Sequence, residues 1–520
     1  MLLFLVAVVL LGVVVWRLFA IFSTHLRFIR TSNGIYNIPE TIPFLGQAHV
    51  FPQNSFAWSS FIVEQSNDAI RKGHQLMRWW IANKFLIITL DGETAKVLLE
   101  STVEIKKGPE YKFFHQWLGN GVLVSDGEHW LRQRRMLLPI FHFSMLEQYT
   151  PTFNKYGRML TKNLAELQGR RELVDLSPLL IKCALYNVTE SVMGVQMDLE
   201  QNICRKYMEA IKNFGIYQHI YALCPLYILF PITWYLFGHG FATRKAVKSL
   251  KAFSTKVVED RIRINEANGG IRKDGLMHSE GSLYKGKIMA FLDFLLTLRE
   301  EQKLNTEQVR EQVDAFMFGG HDTVAHGLMW FLWSMACHPE YQQKVHAEIV
   351  EHFGTIDGEE GDDEQLLQLT ASDVNKLPYL DRCIRETMRM FPLIPILERE
   401  LQADLRIGDK TMPRGAIVAI MPLVIHHNEK VWPRHWEFDP DNFLPERMAK
   451  RSPYDYLPFS AGPRNCLGNR FAILELKIIL VHVFRRLRFS TTIPFEKNRP
   501  ALEAVSRLEI GCLLHVHAAS

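Results

Sequence analysis

Hydrophobic residues are concentrated at the start of this chain. The first sixteen positions, MLLFLVAVVLLGVVVW, contain no charged side chain, and LFAIF continues the run after Arg17. A run of about 20 apolar residues matches the hydrocarbon thickness of a bilayer, so the pattern predicts a membrane anchor over residues 1–22. The alternative, a cleaved signal peptide, needs basic residues before the apolar run and a small-residue cleavage site after it, and neither is clear.

The chain leaves this predicted anchor through basic and proline-containing sequence. His25, Arg27 and Arg30 follow the apolar run and no basic residue precedes it, which predicts that the remaining chain lies on the cytosolic side of the membrane. Residues 23–46 include YNIPETIPFLG, whose prolines predict a stiff linker.

Residues 47–520 show mostly helical periodicity, interrupted by short alternating stretches. Residues 101–350 repeat apolar positions at helical spacing, whereas RWWIANKFLIITL (78–90) and RIGDKTMPRGAIVAIM (406–421) have the alternation typical of strands. No internal repeat or flexible linker divides this region. We therefore predict one domain that is mainly α with small β-sheets.

Residues 213–243 form a second uncharged segment, with no Lys, Arg, Asp or Glu. A second transmembrane helix is one interpretation, although Pro225 and Pro231 would break it. The interpretation we prefer is a set of helices packed on the domain, with one apolar surface dipping into lipid.

Composition narrows the functional classes. The 520 residues are 48% hydrophobic and 22% charged with a net charge of +4, which predicts a folded core and gives no indication of a nucleic-acid partner. The seven cysteines form no CxxC pair, which is typical of a reducing compartment and not of a disulfide framework or a zinc site.

One cysteine lies in an unusual loop, FSAGPRNCLG (459–468). Phe459 can cover its sulfur, Gly462 and Gly468 allow close approach of the backbone, and the helical pattern beginning just after Cys466 favours a thiolate, as does Arg464. A thiolate could be a nucleophile or a metal ligand. The nucleophile needs a histidine base, for which no local signature exists. The glycines fit a flat, bulky cofactor better, and haem held by one thiolate is such a cofactor.

A long helical pattern runs from about Asn305 to Cys337 and contains Gly319-Gly320-His321-Asp322-Thr323. Two adjacent glycines cost a helix roughly 2 kcal/mol relative to alanines. Close packing of another helix would explain them. We prefer a functional interpretation, because loosened carbonyl groups beside Asp322 and Thr323 could hold dioxygen and pass protons to it.

A third cluster combines Glu386 and Arg389, which share a predicted helix face, with Arg447 further along the chain. A buried Arg–Glu–Arg cluster would clamp an irregular segment near the cysteine loop.

These motifs together resemble the cytochrome P-450 superfamily of haem-thiolate monooxygenases. The cysteine loop is similar to its Phe-x-x-Gly-x-Arg-x-Cys-x-Gly signature, residues 319–323 resemble its oxygen-binding helix, and Glu386, Arg389 and Arg447 resemble its structural triad. The resemblance implies the mainly α P-450 fold, with haem between the long helix and the cysteine-bearing helix.

The resemblance also implies roles for further residues. Trp130 and Arg134 match the Trp-x-x-x-Arg helix that contacts the haem propionates, and Arg399 and Arg464 match the other basic contacts. Family four, which includes fatty-acid ω-hydroxylases, is the most similar branch. Several of its members carry a glutamate esterified to haem where this chain has Gly319, so we expect non-covalent haem b.

The implied activity is insertion of one oxygen atom into a lipophilic substrate. Cys466 would ligate the iron, Asp322 and Thr323 would support protonation, and Phe316, Ile394 and Ile396 would line the substrate pocket. Fatty acids lead the substrate classes, before steroids, terpenoids and xenobiotics. Two alternatives remain: an isomerase or dehydratase of this fold acting on a lipid hydroperoxide without a reductase, and a non-catalytic haem protein.

The implied partners are O2, membrane lipid and an NADPH-dependent flavoprotein reductase, with cytochrome b5 as a further donor, at the endoplasmic reticulum membrane. Eight basic residues against two acidic ones between Lys450 and Arg488 predict a basic surface that attracts an acidic electron donor. A merely solvated surface is the alternative.

Overall fold

The structure, a computed structural model, describes residues 1–42, 45–52, 54–82, 84–141, 143–198, 201–271, 290–301, 303–354 and 367–519. The helices in this part of the chain are α1 (Leu2–Thr31), α2 (Ser55–Arg71), α3 (Gly92–Leu99), α4 (Lys112–Leu118), α5 (Gly127–Leu137), α6 (Phe143–Leu146), α7 (Thr150–Ala165), α8 (Ser177–Asn187), α9 (Asn202–Leu223), α10 (Pro225–Leu229), α11 (Ile232–Leu236), α12 (His239–Ala267), α13 (Phe291–Glu300), α14 (Thr306–Cys337), α15 (Pro339–Phe353), α16 (Ala371–Val374), α17 (Pro378–Met390), α18 (Pro422–His426), α19 (Pro445–Met448) and α20 (Asn469–Arg486).

Small sheets accompany these helices. The strands are β1 (Tyr36–Asn37), β2 (Leu76–Ile81), β3 (Lys84–Thr89), β4 (Val174–Asp175), β5 (Leu397–Glu400), β6 (Leu405–Ile407), β7 (Lys410–Met412), β8 (Ile417–Ile420), β9 (Leu487–Ser490) and β10 (Leu513–Ala518). They form sheets ordered β1-β2-β3-β8-β5 and β4-β10-β9, and the hairpin β6-β7. Both stretches predicted to be strands are therefore confirmed, and the mainly α class with small sheets is confirmed with them.

Helix α14 lies at the centre of the main hydrophobic core. Its N-cap is Asn305, whose side chain accepts a hydrogen bond from the amide of Gln308 while the Gln308 side chain accepts one from the amide of Asn305. Trp330 and Trp333 on this helix are fully buried, and α8, α12, α17 and α20 pack against it. The long helix predicted from Asn305 to Cys337 is confirmed, and it places Gly319 to Thr323 in the middle of the domain.

Helix α1 is attached to the domain by its C-terminal end. The rings of Phe28 and Phe85 stack at 4.3 Å, and the Arg78 guanidinium donates to the carbonyl of Ser32 at 2.7 Å. Among the residues that the structure describes, no helix is both long and apolar enough to cross a membrane. The anchor over residues 1–22 stays a prediction.

The uncharged segment 213–243 is not one continuous helix. It comprises the end of α9, the short helices α10 and α11, and the start of α12. Pro225 is the first residue of α10, Pro231 precedes α11, and Gly238 precedes α12 at φ +83°. The preferred prediction, a set of packed helices, is therefore confirmed, and one continuous second transmembrane helix is not formed by these residues. Large apolar side chains that this region leaves exposed are Leu226, Phe230, Ile232, Leu236, Phe237 and Phe241.

Candidate active site

A cavity of about 400 Å³ lies between α14 and the start of α20. Most of its wall is apolar, and Cys466 lies in that wall. Sequence-predicted residues that line it are Trp130, Arg134, Phe316, Thr323, Ile394, Ile396, Phe459, Arg464, Cys466 and Gly468, together with Gly319 and Gly320. The structure therefore brings together residues from four distant parts of the sequence.

The cysteine loop is held by backbone contacts. The amide of Cys466 donates to the carbonyl of Phe459 at 3.0 Å, across a 3₁₀ turn at Gly462–Arg464. Gly462 has φ +69°, and a Cβ there would lie 1.8 Å from the carbonyl oxygen of Leu99 at the end of α3. The close approach that this glycine allows is thus to the protein backbone, and not to a cofactor as predicted. A Cβ at Gly468 would meet no described protein atom closer than 3.8 Å.

The protonation of Cys466 is set by opposing effects. Its side chain is exposed to the cavity, yet it lies deep in the protein, and burial raises the pKa of the thiol. A hydrogen bond from the Gly468 amide and the charge of Arg134 act in the opposite direction. The amide at the start of α20 thus acts toward the thiolate, as expected, but burial is the larger effect and leaves the pKa of the thiol above its usual value. A metal ion would supply the missing stabilisation, because a coordinated thiol is deprotonated.

Buried cations gather beside this cysteine. Arg134, Arg399 and Arg464 are joined by Lys107, whose ammonium lies 4.1 Å from the centre of the Tyr111 ring. Burial lowers the pKa of Arg464 to about 10 and that of Lys107 well below its usual value, with the neighbouring arginine charges adding to the effect on Lys107. Such an excess of buried positive charge is costly unless an anion compensates it.

Among the described residues, one carboxylate lies within ion-pair distance of this group. It belongs to Asp126 and is 2.9 Å from Arg464. Arg134 donates to the Asn465 carbonyl at 2.8 Å, and Arg399 donates to the Glu398 carbonyl at 3.0 Å. The Nε atom of Arg464 is buried with no hydrogen-bond partner in the described chain. This donor set fits the two propionate groups of haem, which would provide the absent negative charge.

Trp130 and Arg134 extend from one face of α5. The guanidinium of Arg464 lies 4.2 Å from the centre of the Trp130 ring, and that of Arg134 lies 5.8 Å from it. Lys107 belongs to the same group, but no local motif marks it. The adjacent Lys106 pairs with Glu400 near the surface, and only the fold distinguishes these two lysines.

The two glycines of α14 have different surroundings. A Cβ on Gly320 would lie 2.8 Å from Cγ2 of Val188, whereas a Cβ on Gly319 would meet no described atom within 4 Å. Close packing therefore explains Gly320. Gly319 lines the cavity, where the Thr323 hydroxyl donates to its carbonyl at 2.7 Å.

Asp322 and Thr323 do not converge on one spot as predicted. Thr323 lines the cavity that contains Cys466, whereas Asp322 lines a second cavity. Successive residues on an α-helix are about 100° apart around its axis, so adjacent side chains cannot face the same point.

The predicted Arg–Glu–Arg cluster forms only in part, because Arg447 does not contact Glu386 directly. Glu386 and Arg389 are fully buried and joined by two hydrogen bonds, of 2.7 and 2.8 Å. Arg447 is instead 43% exposed and pairs with Asp439 at 2.9 Å. The amide of Asp439 donates to Glu386 at 2.9 Å, so Arg447 joins the pair only through Asp439. A direct contact is not needed, because backbone groups satisfy the buried carboxylate.

Three predicted substrate-pocket residues line the cavity. Phe316 stacks on Phe141 at 5.3 Å between ring centres, and Ile394 and Ile396 follow α17. Val188 and Val192, which flank one π-helical turn, also line it. No local sequence signal marks these valines, because nothing in the turn after α8 indicates that it will pack beside α14.

The predicted basic surface between Lys450 and Arg488 is smaller than its sequence suggests. Lys450 and Arg470 are exposed. Lys477 is buried and pairs with Asp381 at 2.8 Å, and the side chain of Arg464 is only 3% exposed. Burial removes both from any surface that a protein partner could contact.

Comparisons with known proteins agree with this geometry. The family model described as Cytochrome P450 matches residues 37–510. The chain is 32% identical over 466 residues to cytochrome P450 4V2 of Homo sapiens, covering 89% of this chain and 86% of the relative. It is 33% identical over 456 residues to cytochrome P450 4c3 of Drosophila melanogaster, covering 86% of this chain and 83% of the relative. Cytochrome P450 4d1 of Drosophila melanogaster is 31% identical over 477 residues, covering 89% of each chain.

Proposed function

Because the chain belongs to the cytochrome P450 family of monooxygenases, we propose that it inserts one oxygen atom of O2 into a C–H bond of a lipophilic substrate, with fatty acids as the leading class. The observation that carries this proposal is the largely apolar cavity of about 400 Å³, whose wall contains both Cys466 and Phe316. Such a cavity fits a lipophilic molecule held beside the iron ligand.

The family uses haem and receives electrons from a reductase. We assign Cys466 as the iron ligand and Trp130, Arg134, Arg399 and Arg464 as propionate contacts, supported by their buried and incompletely paired donors. Haem bound through Cys466 would supply oxygen activation, since an anionic sulfur ligand favours O–O cleavage. Thr323 would offer its hydroxyl group at the cavity, where its oxygen can accept a hydrogen bond while its hydrogen is donated to the Gly319 carbonyl, and Asp322 would supply protons from the opposite face of the helix.

Gly319 supports non-covalent haem b, because glycine has no carboxylate that could form an ester. We expect acidic organic solvent to extract the haem from the denatured chain. Haem that stays on the chain after this treatment would contradict the assignment.

The electron source that we propose is NADPH through a flavoprotein reductase, with cytochrome b5 as a further donor. Lys450 and Arg470 are candidates for the contact with such an acidic donor. We also propose that residues 1–22 anchor the protein in the endoplasmic reticulum membrane, with the catalytic domain facing the cytosol. The exposed apolar side chains between Leu226 and Phe241 would then contact lipid.

An isomerase or dehydratase of this fold is the second candidate, and a non-catalytic haem protein is the third. Incubation with reductase, NADPH and a panel of lipids, followed by untargeted product analysis, separates them. Monooxygenation requires NADPH and gives a product one oxygen atom heavier. Rearrangement of a hydroperoxide without NADPH would favour the second candidate, and absence of any product the third.

The thiolate bond has its own test. The reduced wild-type protein should give a strongly red-shifted Soret band with carbon monoxide, and Cys466→Ala should abolish that band while retaining the fold by circular dichroism. An unchanged spectrum in the variant would overturn the proposed iron ligand.

A further inference from the structure

The largely apolar wall of the Cys466 cavity contains a polar cluster outside α14 and the cysteine loop. Its members are Lys84 on β3, Glu110 in the turn before α4, His219 on α9 and Glu398 on β5. All four side chains line the cavity, and none of them is among the haem contacts assigned above. Their charges and hydrogen bonds decide which polar part of a substrate this wall can hold.

Lys84 and Glu110 form an ion pair within the polar cluster. Nζ of Lys84 lies 2.5 Å from Oε1 of Glu110, and the two side chains are 10% and 21% exposed. Burial opposes the charge of Lys84, but the charges of Glu110 and then Glu398 outweigh burial and raise the pKa of the ammonium. Lys84 is therefore charged at pH 7, and Glu110 cancels that charge.

Glu398 makes no ion pair within the described residues. It is 3% exposed, and its Oε2 atom is buried with no hydrogen-bond partner in the described chain. Gly108 makes room for this group, since a Cβ there would lie 2.4 Å from Oε2. Burial and then the charge of Glu110 raise the pKa of Glu398 to about 8, against the opposing charge of Lys84. At pH 7 Glu398 is therefore mostly an uncharged acid with an O–H group to donate.

His219 adds an uncharged acceptor. Its Nδ1 atom lies 3.1 Å from the carbonyl oxygen of Leu502, and a carbonyl can only accept, so Nδ1 carries the hydrogen. Burial lowers the pKa of the imidazole, so Nε2 keeps its lone pair at pH 7. Nε2 is buried and has no hydrogen-bond partner among the described residues.

Lys84 connects the two unpartnered groups. Its Nζ atom lies 3.5 Å from the carbonyl oxygen of Ala222, which follows His219 by three residues on α9. Its charge acts on the pKa of both His219 and Glu398. The polar cluster therefore offers an uncharged donor and an uncharged acceptor around an ion pair whose charges cancel.

A carboxylate would fit this cluster poorly. It would have to take Lys84 from Glu110 and leave Glu110 without a cation in a largely apolar wall. Glu503, which also lines the cavity, accepts two hydrogen bonds from Arg507 at 2.8 and 2.9 Å. That second pair is balanced too, so it offers no spare positive charge to a carboxylate.

We propose that the polar cluster is a subsite for the polar end of the substrate, and that it favours an uncharged hydroxyl group over a carboxylate. A hydroxyl has one hydrogen to donate and lone pairs that accept, so it matches Nε2 of His219 and the O–H group of Glu398. The inference rests on the proposed function. It moves the expected substrate, within the lipophilic class, from a free fatty acid to a fatty alcohol.

The test measures binding of decanol and of decanoate, an alcohol and an acid of one chain length, to the haem-loaded protein. Titration calorimetry at pH 7, where decanoate is ionised, gives both affinities. We expect decanol to bind the wild type about tenfold more tightly, because the carboxylate leaves one negative charge uncompensated in the wall. Equal affinities, tighter binding of decanoate or binding of neither ligand would overturn the inference.

Two glutamine variants test the charge balance. Glu398→Gln replaces one uncharged donor by another, so the preference for decanol should persist. Glu110→Gln combined with Glu398→Gln leaves Lys84 without a carboxylate, so decanoate should bind about tenfold more tightly than to the wild type. A gain in decanoate affinity from Glu398→Gln alone would show that Glu398 is ionised and would refute the subsite as proposed.

Glu400→Gln is the matched control on the same strand. Glu400 also pairs with a lysine, Lys106 at 2.6 Å, but lines neither cavity. Both affinities should equal those of the wild type. A shift as large as that of the double variant would mean that the effect does not come from the cavity wall.

His219→Phe separates recognition from packing. Decanol should bind about fivefold more weakly, because its hydrogen loses an acceptor. Decanoate has no hydrogen to donate, so its affinity should not change. Equal weakening of both ligands would assign His219 a packing role and contradict the inference.

These measurements need neither reductase nor NADPH, so they are independent of turnover. A wild type that prefers decanol but hydroxylates no lipid would support the subsite and overturn the proposed function. A wild type that hydroxylates fatty acids and binds decanoate more tightly would overturn the subsite alone.

Discussion

The buried Arg389 and the buried cations beside Cys466 differ in how fully their charges are paired. The Arg389 guanidinium makes two hydrogen bonds to Glu386 and three more to the carbonyls of His426, His435 and Glu437. The group formed by Arg134, Arg399, Arg464 and Lys107 has one described carboxylate, Asp126.

This difference separates a structural cluster from a binding site. A buried charge is tolerated only where partners replace its lost hydration. Arg389 has all its partners within the chain, so its role is to hold α17 to the segment that leads to the cysteine loop. The cations beside Cys466 lack theirs, which indicates that a ligand with negative charge completes them.

Removing the carboxylate partner of Arg389 should have the largest effect on the free energy of unfolding. Glu386→Gln leaves Arg389 buried without its carboxylate, so we expect the free energy of unfolding to fall by about 3–5 kcal/mol. Urea denaturation followed by circular dichroism measures it. Arg382→Gln is the control, because its pair with Asp441 is partly exposed and should contribute at most about 1 kcal/mol. Equal losses in both variants would contradict the distinction.

Acidification should weaken the same paired group. Burial and then the charge of Arg389 lower the pKa of His426 to about 3 from its usual 6.5. The unfolded chain therefore binds a proton at this residue below pH 6.5, and the folded chain does not until about pH 3. Stability should fall as pH falls through this window, by about 2 kcal/mol at pH 5 for this residue alone.

Urea unfolding at pH 7 and pH 5 tests this expectation. His426→Gln removes the titrating group, so its stability should depend less on pH than that of the wild type. An identical pH dependence would show that His426 does not contribute.

Removing one charge from the incompletely paired group should give the smallest change in the free energy of unfolding. The change should also have the opposite sign, an increase. Arg399→Leu removes a buried charge with no described carboxylate partner, so the haem-free protein should become about 1 kcal/mol more stable. The same substitution should speed haem loss from the holoprotein about tenfold, because one charge-assisted hydrogen bond to a propionate is lost. Transfer of haem to excess apomyoglobin measures that rate. Destabilisation of the haem-free protein would place Arg399 with the structural group.

Much of the site could be predicted from sequence because its motifs are local. The capping residues Asn305 and Gln308, the glycine at position 462 and the spacing around Cys466 act within a few residues of one another. Two details of these motifs were nevertheless wrong. Gly462 makes room for the Leu99 backbone, and Asp322 faces a different cavity from Thr323. The local motifs could not predict either arrangement, because each depends on neighbours that are distant in sequence.

Lys106 and Lys107 illustrate the same limit. They have identical side chains and adjacent positions, yet one pairs at the surface and the other is buried beside Arg399 and Arg464. Arg447 shows the reverse, since its motif suggested a buried contact and the fold leaves it exposed.

The sequence alone determined the secondary structure around the site, the identity of the cysteine and the order of the motifs, because capping, helical periodicity and glycine geometry act over short ranges. Only the tertiary structure decided which cations are left without a carboxylate, which face of α14 each side chain occupies and how burial opposes ionisation of Cys466. Those properties depend on desolvation and on distances between segments that the chain brings together only when it folds.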